Sequence, residues 1–387
     1  MSHKSLKPET IAVAAGRMSA EHFGTVNTPV YRTSTILHES YASLKDETNA
    51  RYNYGRIGTP STESFEHAVA ELEGAARTVS VPSGLNAITT AILTVVSAGD
   101  HILVTDNSYG PTRRFCNGAL KRMGVETTYF DPALGAGIEA LFKPNTKLVF
   151  TESPGSLTFE VCDIPAMAEV AHRHGAYVAM DNTWATPVYF PALKRGVDLS
   201  IQAATKYIGG HSDVMMGTVS VGEALAKPLE TYVHDLGIFA SPDDCFLALR
   251  GLRTMPVRLA RHWGNGLVLA RWLQERPEVA RVLHPALESD PGHALWKRDF
   301  TGACGLFGVV LKPISEAKLA AFMDGLAHFG LGYSWGGYES LIIPAHYVRT
   351  ATKFDATGPV IRIHAGLEDT GDLIADLTAG FERMETA

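Results

Sequence analysis

The chain has 387 residues, long enough for two domains and a substantial core. Hydrophobic residues make up 45% and charged ones 19%, an ordinary globular composition without low-complexity tracts. A net charge of −7, from 34 basic and 41 acidic side chains, argues against nucleic acid or an anionic membrane as partner.

The four cysteines, Cys116, Cys162, Cys245 and Cys304, lie far apart with no CxxC pair. That argues against a disulfide framework or zinc knuckle and fits a reducing, cytoplasmic setting. The N-terminus lacks the apolar core of a signal peptide. The longest greasy stretch, 87–98, stops at Gly99-Asp100. It falls well short of the roughly 20 apolar residues a membrane helix needs.

Residues 1–57 are irregular and turn-rich, with Thr28-Pro-Val-Tyr31 and Arg51-Tyr-Asn-Tyr-Gly-Arg56. Too long for a linker and too irregular for a domain, they read as an arm that packs on a second subunit. Residues 58–245 alternate. The spacing predicts a helix over 62–73, a strand over 77–81, a helix over 85–97 and a strand over 101–105. A helix over 110–123, a strand over 125–130 and a short helical piece over 138–142 follow. Then come a strand over 147–152, a helix over 164–174, and strands over 176–180 and 197–201. Such alternation implies a largely parallel, doubly wound α/β sheet, with ligands beyond the strand carboxyl ends. Residues 246–387 read as a smaller α+β domain, with long helices over 245–261 and 266–274. Strands over 306–311, 341–343 and 360–363 alternate there with helices over 315–328 and 370–384.

The strand ends carry the candidate chemistry. Ser83-Gly84-Leu85 opens a helix and offers free backbone N–H groups to a phosphate. Tyr109 follows the strand at 101–105, where an aromatic face can cover a flat heterocycle. Glu152-Ser-Pro-Gly-Ser156 and Asp181-Asn-Thr-Trp184 end the strands that begin at 147 and 176, and a carboxylate there can keep a pyridinium nitrogen protonated. Lys206, among small residues in Ala203-Ala-Thr-Lys-Tyr-Ile-Gly-Gly210, becomes nucleophilic once desolvated. Singly, each is an ordinary cap, turn or surface residue. Together, on consecutive strand ends, they are what a pyridoxal phosphate site requires. A nicotinamide dehydrogenase is the rival for a doubly wound sheet, but the GxGxxG fingerprint is missing. A non-catalytic binding protein on the same scaffold would be expected to lose Lys206 or Asp181.

These motifs resemble the cystathionine-type transsulfuration family of fold type I pyridoxal phosphate (PLP) enzymes, over nearly the whole chain. The resemblance implies an aspartate aminotransferase-like α/β fold with a mostly parallel seven-stranded sheet. It makes Lys206 the Schiff-base lysine and later proton shuttle, and Asp181 the partner of the ring nitrogen. Tyr109 would stack on the ring, and Ser83, Gly84, Leu85 and Thr205 would hold the phosphate. Tyr54 and Arg56 would reach the cofactor of a neighbouring subunit, within a homotetramer built from catalytic dimers. Arg362 would clamp the α-carboxylate of an amino-acid substrate, with Ser153, Ser334 and Trp335 beside it. Lys206, Tyr109 and Tyr54 would be the catalytic groups. The Ser153-Pro-Gly-Ser156 stretch and Trp335 favour the carbon–sulfur β-lyase branch, which splits L-cystathionine into homocysteine, pyruvate and ammonia and also accepts cystine or cysteine S-conjugates. A γ-acting relative is the alternative. Ala204, where much of the family has serine, and Asn86 depart from the pattern.

Overall fold

The computed structural model describes residues 6–46 and 50–387, so residues 1–5 and 47–49, within the stretch expected to form an arm, lie outside it. The seven strands of the first sheet are β1 (Arg77–Val81), β2 (His101–Thr105), β3 (Glu126–Phe130), β4 (Thr146–Glu152), β5 (Tyr177–Asp181), β6 (Leu199–Gln202) and β7 (Gly217–Val221). Their spatial order is β1-β7-β6-β5-β4-β2-β3. All neighbours run parallel except β7, which is antiparallel to both β1 and β6.

Covered on both faces by helices, the central strands are apolar on both. Ile102, Leu103 and Val104 are each fully buried, as are Leu148, Val149 and Phe150. Each such side chain contributes about 1.5–3 kcal/mol relative to exposure. The covering helices are punctuated locally. Helix Pro60–Glu73 starts with a Thr59–Thr62 capping box and proline in its first turn, and ends at Gly74 with φ 67°. Helix Gly84–Val95 is capped by the Ser83 hydroxyl, which accepts from Asn86 N–H.

A second sheet contains β8 (Val279–Leu283), β9 (Leu306–Leu311), β10 (Phe329–Leu331), β11 (Ser340–Pro344) and β12 (Val360–His364), ordered β10-β11-β12-β9-β8. One face packs Phe307, Val309, Ile361 and Ile363 into a core with Leu373, Leu377 and Phe381 of the helix Thr370–Thr386. Trp184 Nε1, just past β5, donates to Leu306 O of β9 at 2.9 Å and ties the two sheets together.

The long helices divide differently from the expected 245–261 and 266–274. They run Pro242–Leu252 and Met255–Gln274. Pro256 in the first turn starts a new helix, since its missing N–H costs nothing there. Gly266 does not break that helix. A Cβ there would come 3.1 Å from Gly305 Cα, so it is a close-packing position. Among the described residues, no helix is long and apolar enough to cross a membrane.

Candidate active site

The carboxyl ends of β4, β5 and β6 lie side by side, with Glu152 opposite Asp181 and Asp181 opposite Ile201. β6 runs out at Gln202, and the turn that follows carries Lys206 back over this edge. Thr183 holds Asp181 with two bonds, from its N–H at 3.0 Å and its hydroxyl at 2.6 Å. Both end on Oδ1, leaving Oδ2 for a ring N–H. Burial raises the Asp181 carboxyl above its ordinary range, with the Thr183 bonds and the Lys206 charge pulling the other way.

The amine of Lys206 is pulled down to about 8, first by burial and then by the charge of Arg362, against the attraction of Asp181. Its Nζ donates to Ser334 Oγ at 2.7 Å and lies 5.2 Å from the centre of the Trp335 ring. Arg362, on β12, is 7% exposed and donates through Nη2 to Ser334 O at 2.8 Å. Its Nε is buried without a hydrogen-bond partner. An unsatisfied guanidinium N–H beside the lysine suits a carboxylate, which takes both forks of an arginine. Ser334 has φ 75°, a left-handed backbone for a non-glycine residue, and joins the two cations through its hydroxyl and its carbonyl.

Tyr109 opens the helix Gly110–Phe115 with its side chain 43% exposed. Its backbone N–H donates to Glu152 Oε2 at 2.7 Å. Burial raises its phenol, as do the charges of Glu152 and Asp181. Glu152 itself is pushed well above the usual carboxylate range by burial and then by the Asp181 charge.

The residues present fit PLP. Gly84 and Leu85 open a helix whose first-turn N–H groups have no intrahelical acceptor. A Cβ on Gly84 would come 2.6 Å from the Cβ of Ala203, so the helix start closes on the Ala203–Lys206 turn and leaves a backbone-lined cradle. Thr205 belongs to the same turn, though its hydroxyl is engaged with Met216, donating to O at 3.2 Å and accepting from N–H at 3.0 Å.

The other expected positions lie elsewhere. Tyr54 is 44% exposed, and Arg56 Nη1 donates to His234 O at 3.0 Å. Neither touches the Lys206 cluster of its own chain. Ser153 is fully buried, with its hydroxyl accepting from Cys162 N–H at 2.9 Å. It is bound into the core and does not join the Arg362 set.

Glu152, read as a strand-end carboxylate like Asp181, lies opposite it at the same sheet edge. One feature escaped the sequence reading. Asp106, just past β2, accepts from the N–H groups of Thr350, Ala351 and Thr352 and from Arg113. It fastens the 350–352 loop to the end of β2, and no local sequence signal announces a bond between residues 244 positions apart.

A lysine held near neutrality next to an acid, on the carboxyl edge of this sheet, places the molecule among fold type I PLP-dependent enzymes. The model of the Cys/Met metabolism PLP-dependent enzyme family matches residues 9–382, and the chain belongs to that family. It is 54% identical to a putative cystathionine beta-lyase of Rhizobium johnstonii, covering 93% of this chain and 92% of the relative. It is 45% identical to the cystathionine beta-lyase MetC of Escherichia coli, with 98% and 99% covered. Among solved structures, a cystathionine gamma synthase from Xanthomonas oryzae pv. oryzae, in complex with aminoacrylate and cysteine, superposes with a TM-score of 0.91. That protein is 33% identical, with 98% of this chain and 99% of that one covered.

Proposed function

We propose that this protein is a carbon–sulfur β-lyase that cleaves L-cystathionine to homocysteine, pyruvate and ammonia, and also takes cystine or cysteine S-conjugates. The carrying observation is the pairing of Lys206 and Arg362 through Ser334. It sets a proton acceptor beside a carboxylate clamp. The choice of β- over γ-elimination rests on near-full-length similarity to relatives named as β-lyases.

PLP, when bound, supplies an electron sink for the negative charge left at the substrate α-carbon. Ser83, Gly84, Leu85 and Thr205 would hold its phosphate, Tyr109 would cover its ring and Asp181 would keep its nitrogen protonated. Arg362 takes the substrate carboxylate through Nε, and Ser334 and Trp335 line the same edge. Lys206 Nζ removes the α-proton. The Cβ–S bond then breaks with its electron pair on sulfur, and the thiolate leaves with a proton. The released enamine hydrolyses to pyruvate and ammonia. Tyr54 and Arg56 of a second chain would complete each site within a homotetramer of catalytic dimers in the cytoplasm. The organisation is an arm over 1–57 and domains over 58–245 and 246–387.

Product analysis with L-cystathionine tests the reading. Pyruvate and homocysteine are expected, whereas 2-oxobutyrate would assign the protein to the γ-acting branch.

A further inference from the structure

The Lys206 turn is gripped from behind by an arginine. Arg258 stands in the first turn of the helix Met255–Gln274 and is 6% exposed. Its Nη2 donates to Tyr207 O at 2.7 Å, to Gly251 O at 2.7 Å and to Ile208 O at 3.4 Å. Its Nε donates to Thr254 Oγ1 at 3.1 Å, and its Nη1 is buried without a partner. Every acceptor is neutral.

Folding stability alone gives little reason for this arrangement. A buried cation facing only neutral acceptors carries a desolvation penalty, and a helix N-terminus repels positive charge. Burial pulls the guanidinium down to about 10, which still leaves it charged at neutral pH.

The backbone around it is shaped to admit it. Gly210, with φ 69°, presses so close that a Cβ there would lie 2.0 Å from Arg258 Nη1. A Cβ on Gly251 would lie 2.1 Å from Gly209 O and 2.4 Å from Ile208 O. The guanidinium therefore spans the end of the helix Pro242–Leu252 and the two residues that follow Lys206.

We propose that Arg258 is a positioning residue for the reaction: its planar fork fixes the Tyr207–Gly210 turn and so sets where Lys206 Nζ stands over the sheet edge. The proposal rests on Lys206 being the amine that joins the cofactor. A fork is required because one nitrogen serves carbonyls from two chain segments while another is anchored on Thr254. An ammonium on a flexible stem offers no such plane.

The test uses the full-length, cofactor-loaded enzyme. Arg258→Lys keeps the charge and loses the fork. Its kcat should fall on the order of a hundredfold, the cost of displacing a reacting group by about 1 Å, while KM changes little. The pH midpoint of the cofactor's visible absorption band should move as well. Thr254→Val, at an exposed position, removes only the Nε anchor and should give a smaller loss of the same kind. It also serves if Arg258→Lys folds poorly. Wild-type kcat and an unmoved midpoint in both variants would overturn the clamp. So would activity that falls only in step with the fraction of enzyme carrying cofactor. A visible band that survives Lys206→Ala would overturn the underlying reading of Lys206 itself.

Discussion

Lys206 and Ser334 are bonded across 128 residues of sequence, Nζ to Oγ at 2.7 Å, and this contact aims the amine at the strand edge. Ser334 also gives its carbonyl to Arg362, so one residue orients both cations. Removing the hydroxyl with Ser334→Gly, which keeps the left-handed backbone easy, should leave a mobile amine. Hydrogen bonds to charged groups are worth about 1.5–3 kcal/mol, so kcat/KM should drop roughly tenfold to a hundredfold. Ser334→Ala removes the same hydroxyl and keeps the Cβ that the parent already carries at φ 75°, so its loss should be of similar size. Steady-state kinetics of the two variants, measured side by side, would refute this if either kept the parent's kcat/KM.

Lys206 makes a stability prediction whose sign is fixed. Its folded value of about 8 lies below the ordinary 10.5, so the folded chain holds fewer protons than the unfolded chain between those limits. The burial cost is complete below about pH 8 and fades as pH rises towards 10.5. In the cofactor-free protein, Lys206→Met should therefore be more stable than the parent at pH 7, by on the order of 2–3 kcal/mol. The gap should shrink through that window. Denaturant melts at three pH values measure it, and a gap that stays constant or grows contradicts the assignment.

Much of this was legible in the sequence, and the residues show why. β1 and β2 fall on 77–81 and 101–105 as expected, because turn residues bound both short runs. Asp181 and Lys206 lie past strand ends as expected, but singly they read as turn or surface residues, and only the set of strand ends together singled them out. β7 was not foreseen. Its Gly-Thr-Val-Ser-Val alternates as the Arg-Thr-Val-Ser-Val of β1 does, with Val219 and Val221 in the same core as Val79 and Val81, and only the pairing of the two strands brings it out. Thr78 and Ser220 pair across β1 and β7 through their hydroxyls at 2.7 Å, a contact that exists only once both strands are placed. The grip of Arg258 was invisible for the same reason.

Arg362 should separate binding from turnover. Arg362→Lys retains a charge and gives up the planar fork, including the Nε that faces no protein acceptor. KM for the amino acid should rise about tenfold or more, corresponding to at least roughly 1.4 kcal/mol, with kcat lowered less. The variant should also move Lys206. Arg362 is the second cause holding that amine near 8, and a looser charge relaxes it upward. The pH dependence of amine labelling in the cofactor-free protein should thus shift to higher pH. An unchanged KM would remove Arg362 from the substrate.

Asp106 should decide how the 350–352 loop is held. Burial by itself would raise its carboxyl, but the N–H groups of Thr352 and Thr350, the Thr352 hydroxyl and Arg113 outweigh it and hold the group below its ordinary value. A depressed carboxylate stabilises the fold above its unfolded value near 3.8, and that contribution disappears as pH drops through the folded value. Asp106→Asn removes one acceptor oxygen and leaves the guanidinium of Arg113, 6% exposed, without its charged partner. The expected loss is about 3 kcal/mol or more at pH 7, because an unpaired buried charge remains. Below the unfolded value of 3.8 the parent loses this advantage as pH falls, so the difference between parent and variant should narrow. Equal stability at pH 7 would show that Arg113 and the three backbone N–H groups are satisfied without the charge.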